Sequence, residues 1–195
     1  MGKDLISHLK MPIFTSQYAR QQGVSPRMLS YFVSKGLLVR VSHGVYAMNG
    51  THDGFDLQSI LERISIEIPQ GVIGRLSALK YYGLLDESPA LVEVIVPTDN
   101  IPKRKIEDVS FFCAPRKSLR GEIKSGIETK GKIRVTSLDR TLIECLRTGV
   151  TIKVVRDAFE EAQRKGLKPS LSQMAKFADI LRVQGKFDRF KESIL

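Results

Sequence analysis

Apolar side chains recur along the chain at two different periods, and their order outlines the fold. Leu5, Ile6 and Leu9 stand at helical spacing until Pro12, which cannot continue a helix. Thr15 or Ser16 can cap a second short helix, Gln17 to Gln22, with Tyr18 and Ala19 facing inward. After a Gly23-Val24 turn, Ser25 and Pro26 predict a third helix from Pro26 to Lys35. A serine N-cap with proline at the first helical position starts a helix cleanly, and Gly36 suits a left-handed C-cap. Its inward stripe is Met28, Leu29, Phe32 and Val33; its outward stripe is Arg27, Ser30, Tyr31 and Ser34, with Lys35 at the end. The period then falls to two. Leu37 to Val41 and Val45 to Ala47 read as a β-hairpin turned at Ser42-His43-Gly44.

The polar run Gly50-Thr51-His52-Asp53-Gly54 predicts a boundary between a domain of residues 1–48 and one of residues 49–195. Beyond it, helices are expected over Ser59 to Ile68 and Ile73 to Tyr82, then strands over Leu91 to Val96 and Val109 to Ala114. Ile127 to Thr129 and Ile133 to Val135 read as a further pair of short strands. Helices follow over Leu138 to Arg147, capped by Thr136 or Ser137, then Val154 to Lys165 and Ser170 to Arg182. Asp139 near the start of the first of these complements the helix dipole. The fold class expected is therefore α+β: an N-terminal winged helix-turn-helix, then a helical domain with a small mixed sheet.

Charge sharpens this division. The 195 residues carry a formal net charge of +10, unevenly spread. Residues 1–48 hold six basic side chains against Asp4 alone, residues 49–100 are net −5, and the two later segments turn basic again. Basic surfaces attract polyanions because each neutralised phosphate releases condensed counterions. The compact basic run Lys103-Arg104-Lys105 fits either a phosphate contact or a solvated turn. Apolar runs as short as Leu91 to Val96 are too short to span a bilayer, and the stretch from Met1-Gly2-Lys3-Asp4-Leu5 lacks the long apolar run expected of a secretory signal. Two cysteines, Cys113 and Cys145, make no disulfide framework and read as buried core thiols. A reduced, cytoplasmic protein is expected.

Little in the chain points to catalysis. Phosphate-binding glycine loops and the nucleophile-elbow motif are missing, and His8, His43 and His52 form no metal-ligand spacing. Asp108, expected on a strand, and Glu122-Ile123-Lys124 imitate a metal-dependent nuclease, but Glu122 and Lys124 lie between Gly121 and Gly126 in an expected loop. The expectation is a non-enzyme with no cofactor and no metal.

A winged helix-turn-helix lays its third helix in the major groove and its wing along the backbone. The outward stripe suits that task. Arg27 can reach guanine or phosphate, Ser30, Tyr31 and Ser34 offer hydroxyls, and Lys35 and Arg40 suit phosphates. Ser16, Gln17 and Ser25 at the starts of the two helices, and His43 at the wing tip, complete the candidate DNA-binding set. One such module reads a short site, so two copies on a repeated operator are expected, spaced by about 34 Å or a multiple. The rival from another class is a protein-interaction module that inhibits a partner and uses the winged helix only for docking.

Three stretches also carry a resemblance. Phe14-Thr15-Ser16-Gln17-Tyr18-Ala19, Gly23-Val24-Ser25, Lys35-Gly36-Leu37-Leu38-Val39-Arg40-Val41 and Gly44-Val45-Tyr46 make the first. Leu76-Ser77-Ala78-Leu79 with Tyr82-Gly83-Leu84 is the second, and Val135-Thr136-Ser137-Leu138-Asp139-Arg140-Thr141-Leu142-Ile143 the third. Together they resemble AbiEi-type antitoxins of type IV toxin–antitoxin systems. The resemblance implies an autorepressor that binds repeats in its own promoter and counteracts a nucleotidyltransferase-like toxin.

Overall fold

In the computed structural model the described residues are 9, 13–42, 44–49, 57–103, 106, 108–119 and 126–194. They form two compact units, Met1–Pro69 and Gln70–Leu195.

In the first unit the first element among the described residues is a strand that periodicity did not reveal, β1 (Ile13–Thr15), followed by helices α1 (Ser16–Gln21) and α2 (Pro26–Ser34). The hairpin strands are β2 (Leu38–Ser42) and β3 (Val45–Met48), and a further helix, α3, spans Leu57–Glu67. The three strands form an antiparallel sheet in the order β1-β3-β2, with Phe14 opposite Tyr46 and Arg40 opposite the same residue on the other side. One face packs on α1 and α2: Phe14, Ala19, Leu29, Phe32 and Leu38 are buried together. On the other face Ile13, Val45 and Ala47 are buried against Ile66 of α3. The expected boundary at residues 50–54 lies outside the described residues, and the compact units divide later, after Pro69. The reason is local: the sheet's second face needs α3 as its cover. The expected first helix, around Leu5 and Ile6, also lies outside the described residues, although Leu9 is buried in the core beside Phe14.

The second unit is built on a five-stranded mixed sheet in the order β6-β5-β4-β8-β7. Its strands are β4 (Val72–Ile73), β5 (Val92–Pro97), β6 (Val109–Ala114), β7 (Ile127–Lys130) and β8 (Ile133–Thr136). β5 runs parallel to β6 and β4 parallel to β8, while the β4–β5 and β7–β8 pairs are antiparallel. Among the described residues five α-helices accompany the sheet: α4 (Arg75–Tyr81), α5 (Leu138–Arg147), α6 (Ile152–Arg164), α7 (Leu171–Ile180) and α8 (Gln184–Ile194). Leu142, Leu146, Phe159, Met174, Phe187 and Phe190 lie at the centre of their shared core.

Three local expectations are corrected here. The helix expected from Ile73 is two elements, because Val72 and Ile73 pair with β5 and Gly74 breaks the run. A Cβ at Gly74 would stand 2.5 Å from Ile95 Cδ1, so the close strand approach requires glycine. Cys145 is buried, but Cys113 is exposed, since β6 is an edge strand. Asp108 precedes β6 in a turn, with φ +62°, rather than sitting on a strand; Glu122 and Lys124 lie outside the described residues.

A buried ionic network ties the sheet to the helices. Arg75, at φ +54°, stacks its guanidinium 3.6 Å from the Phe112 ring centre. It donates from Nη1 to Glu93 Oε1 (2.8 Å) and from Nε to Thr148 Oγ1 (2.6 Å). Glu93 also accepts from the Leu76 N–H (2.8 Å). On α5, Glu144 accepts from Arg140 (3.1 Å) and Arg147 (2.8 Å), and Arg140 reaches the Ser118 carbonyl at 2.6 Å. Burial pushes the Glu93 carboxyl above its ordinary range and holds the Arg140 guanidinium below its own, each against the pull of its partner. Desolvation thus offsets much of the attraction, and the network's main effect is to specify how these elements meet.

Gly126 illustrates how tightly the second unit is packed. It has φ +64°, and a Cβ there would stand 2.8 Å from Phe177 Cε1. Gly126→Ala should destabilise the unit by roughly 2–4 kcal/mol, combining left-handed strain with overpacking. Urea unfolding of the two proteins measures it. An effect within the usual scatter of a surface substitution would show that the Phe177 ring gives way freely.

Candidate nucleic-acid interface

The outer face of α2 is set by how the helix starts and by what its inner face buries. Ser25 Oγ accepts from the Met28 N–H at 3.3 Å, and Pro26 occupies the first turn, as the sequence predicts. Leu29 and Phe32 are fully buried, with Met28 and Val33 packed beside them. Helical geometry then turns Arg27, Ser30, Tyr31 and Ser34 outward, and all four are exposed, as is Lys35 at the C-cap. Gly36, at φ +66°, lets the chain reverse into β2.

The remaining candidates divide by element. Gln17 is exposed on α1. Ser16 is half-buried, with its N–H donating to the Gly44 carbonyl (2.8 Å), so it joins the start of α1 to the hairpin turn. Its neighbour Thr15 is the cap of α1, accepting from the Tyr18 N–H at 3.0 Å. Arg40 is exposed on β2, which forms the sheet's edge. His43 and the basic-run residues Arg104 and Lys105 lie outside the described residues.

Two serines on α2 are partly engaged. Ser30 Oγ donates to the Pro26 carbonyl (3.2 Å) and Ser34 Oγ to the Tyr31 carbonyl (2.8 Å). Their hydroxyl protons are directed into the helix, leaving them able to accept more readily than donate. The long side chains Arg27, Tyr31 and Lys35, four residues apart, project beyond them. Lys35 Nζ stands 5.8 Å from the Tyr31 ring centre.

Two further residues bear on this face and carry little local signal in the sequence. Arg20, in the last turn of α1, is exposed, and only its charge signals it. Asn49 is the other: its Nδ2 donates to the Gly36 carbonyl (2.6 Å) and its N–H to the Leu37 carbonyl (3.1 Å). That clamp ties the end of the hairpin to the turn after α2, and no local pattern distinguishes Asn49 from any loop asparagine.

Electrostatically the segment is one-sided. From Leu5 to His52 the sequence contains no aspartate or glutamate, so the exposed basic residues of this stretch, Arg20, Arg27, Lys35 and Arg40, stand in a segment of one sign of charge. Among the described residues, no group of three or more His, Cys, Asp or Glu could hold a metal ion, and no helix is long and apolar enough to cross a membrane.

The Ser25 cap is a direct test of how α2 is held. Ser25→Ala should cost about 1 kcal/mol in stability, as loss of a serine N-cap does. Chemical denaturation of the two proteins gives the difference; equal stabilities would mean the Met28 N–H finds another acceptor.

Comparison with known proteins bears on the same segment. No curated protein matches the chain significantly. Among solved structures, the Rv2827c protein from Mycobacterium tuberculosis is similar in 98% of this chain and 80% of its own, at 12% identity and a TM-score of 0.49. A likeness at that level carries no functional argument. Residues 5–49 match the family model described as a transcriptional regulator, AbiEi antitoxin. The AbiEi resemblance read from the sequence is thus borne out over the segment that contains α1, α2 and the hairpin, and at family level that segment is similar to DNA-binding antitoxin regulators.

Proposed function

We propose that residues 13–49 act as a winged helix-turn-helix on duplex DNA, with α2 in the major groove and the β2–β3 hairpin as the wing. The observation that carries this reading is the outer face of α2: Arg27, Tyr31 and Lys35 project from a firmly capped helix in a segment with no acidic residue. In this reading Arg27, near the helix N-terminus, meets a base edge, where such side chains lie in helix-turn-helix complexes. Ser16, Gln17, Ser25 and Arg40 lie along the backbone, with Ser30 and Ser34 as short acceptors beside Tyr31. His43 belongs to the wing tip.

On the same reading the chain is the autorepressing antitoxin of a type IV pair, binding repeats in its own promoter and counteracting a nucleotidyltransferase-like toxin. The AbiEi match over residues 5–49 supports the regulator; the toxin is proposed from the sequence resemblance. Repression belongs to the first unit and protection to the second, and two copies of the first occupy a repeated operator.

Binding to promoter duplex should fall steeply with salt, because several phosphates are neutralised at once. Arg27→Ala should cost about 1–3 kcal/mol on the specific site and flatten its base preference, while Arg40→Ala should weaken all sequences alike and lower the salt slope by roughly one. Filter-binding or anisotropy titrations at several salt concentrations measure both. A shallow slope that neither variant alters would favour a docking module instead.

The division of labour has its own test. Residues 70–195, expressed with the toxin, should restore some growth while failing to bind the promoter, with circular dichroism as the folding control. A folded fragment that gives no protection would place protection in repression alone.

A further inference from the structure

We propose that Tyr31 reads sequence directly, its ring packing on the 5-methyl group of a thymine in the major groove; the proposal rests on the DNA-binding reading above.

Tyr31 is anomalous for its type. It is 54% exposed, and among the described residues no other aromatic side chain is in the exposed class. Its neighbours in the first unit behave ordinarily: Phe14 and Phe32 are buried, and Tyr18 and Tyr46 pack against the same core. More than half of this residue's surface stands open to solvent, in the middle of an otherwise polar helix face. It is also held in place. The ring tilts against Phe32, with centres 5.8 Å apart, and Lys35 Nζ stands at a similar distance from it. A ring with its orientation already set loses less freedom when it meets a partner.

Position on α2 decides what it meets. Arg27, Tyr31 and Lys35 are spaced by four residues, so each step along the helix is about 6 Å. That is close to two base-pair steps of roughly 3.4 Å. With Arg27 at one end of this row and Lys35 at the other, Tyr31 faces the base edges between them. The flanking Ser30 and Ser34 are short and donate their hydroxyl protons into the helix, so neither keeps the ring from the groove floor. Among the groups a base pair displays in the major groove, the thymine methyl is the apolar one. A ring face placed there gains from covering it, whereas over cytosine or guanine it would strip water from a donor or acceptor and return nothing.

The test uses the full chain and duplexes that it selects from a random pool. In the selected sequence each thymine is replaced singly by deoxyuridine, which removes only the methyl group. We expect one position per half-site at which deoxyuridine weakens binding roughly fourfold, the worth of one methyl-sized group leaving water. Tyr31→Ala should bind the thymine and deoxyuridine duplexes equally, while Tyr31→Phe should keep the preference. Because Tyr31 is exposed, both variants should give the circular dichroism of the parent. Two results would overturn the proposal while leaving DNA binding intact: no thymine is sensitive to the exchange, or Tyr31→Ala retains the sensitivity. If the chain enriches no sequence at all, the base-reading role and the specific DNA-binding reading fall together.

Discussion

Three strands of three to five residues cannot bury themselves. The small sheet of the first unit exists only because both its faces are covered, and most of that unit's geometry follows from this one requirement. On one side Phe14 and Leu38 demand apolar partners, and Leu29 and Phe32 of α2 supply them. Burying that stripe leaves α2 no rotational freedom about its own axis, so the outward direction of Arg27, Tyr31 and Lys35 is a by-product of core packing. On the other side Ile13, Val45 and Ala47 are closed by α3. The cover is incomplete at the edge. Leu37, just before β2, and Val39 and Val41 on it remain 38%, 47% and 39% exposed, and an irregularity between Arg40 and Ser42 interrupts the ladder. Such an interruption makes an edge strand a poorer template for another strand.

The second unit meets its packing requirement differently. Its helices share a conventional apolar core, but α4 is joined to β5 by the buried Arg75–Glu93 pair, and within α5 the buried Arg140 pairs with Glu144 and reaches the Ser118 carbonyl. Charges taken so far from water contribute little net stability and strongly penalise any arrangement that separates them. Arg75 accepts a left-handed backbone to reach Glu93, Thr148 and the Phe112 ring together, so three elements converge on one guanidinium. Removing one partner would leave an uncompensated buried charge.

What could be read from the sequence was whatever local chemistry decides. The Ser25-Pro26 start, the Gly36 stop and the inward pair Leu29 and Phe32 are properties of neighbouring residues, and the helix from Leu138 to Arg147 was legible for the same reason. The misses share a different origin. β1 is three residues long and becomes a strand only by pairing with β3, thirty or more positions later in the chain. Gly74 looks like an ordinary helix residue until Ile95 is seen against it. The final helix was hidden because the turn before it rests on Arg182 at φ +56°, a conformation for which glycine is the usual signal. At the candidate interface, the stripe of α2 was legible from helical spacing. The clamp from Asn49 to Gly36 was not, since it joins residues thirteen positions apart.

That clamp has a mechanical consequence. With Asn49 bonded to both Gly36 and Leu37, the hairpin is fastened to the end of α2 at its base, and Ser16 fastens the other end of the hairpin to α1. The helices and the hairpin are therefore tied together at both ends of the hairpin. On the proposed DNA-binding reading, a helix and hairpin tied in this way set the distance between two contact points, and the duplex accommodates any mismatch. Bending then carries an energy that depends on base-step flexibility, so pliable steps such as TA or CA/TG would be preferred between the contacts without any side chain touching them.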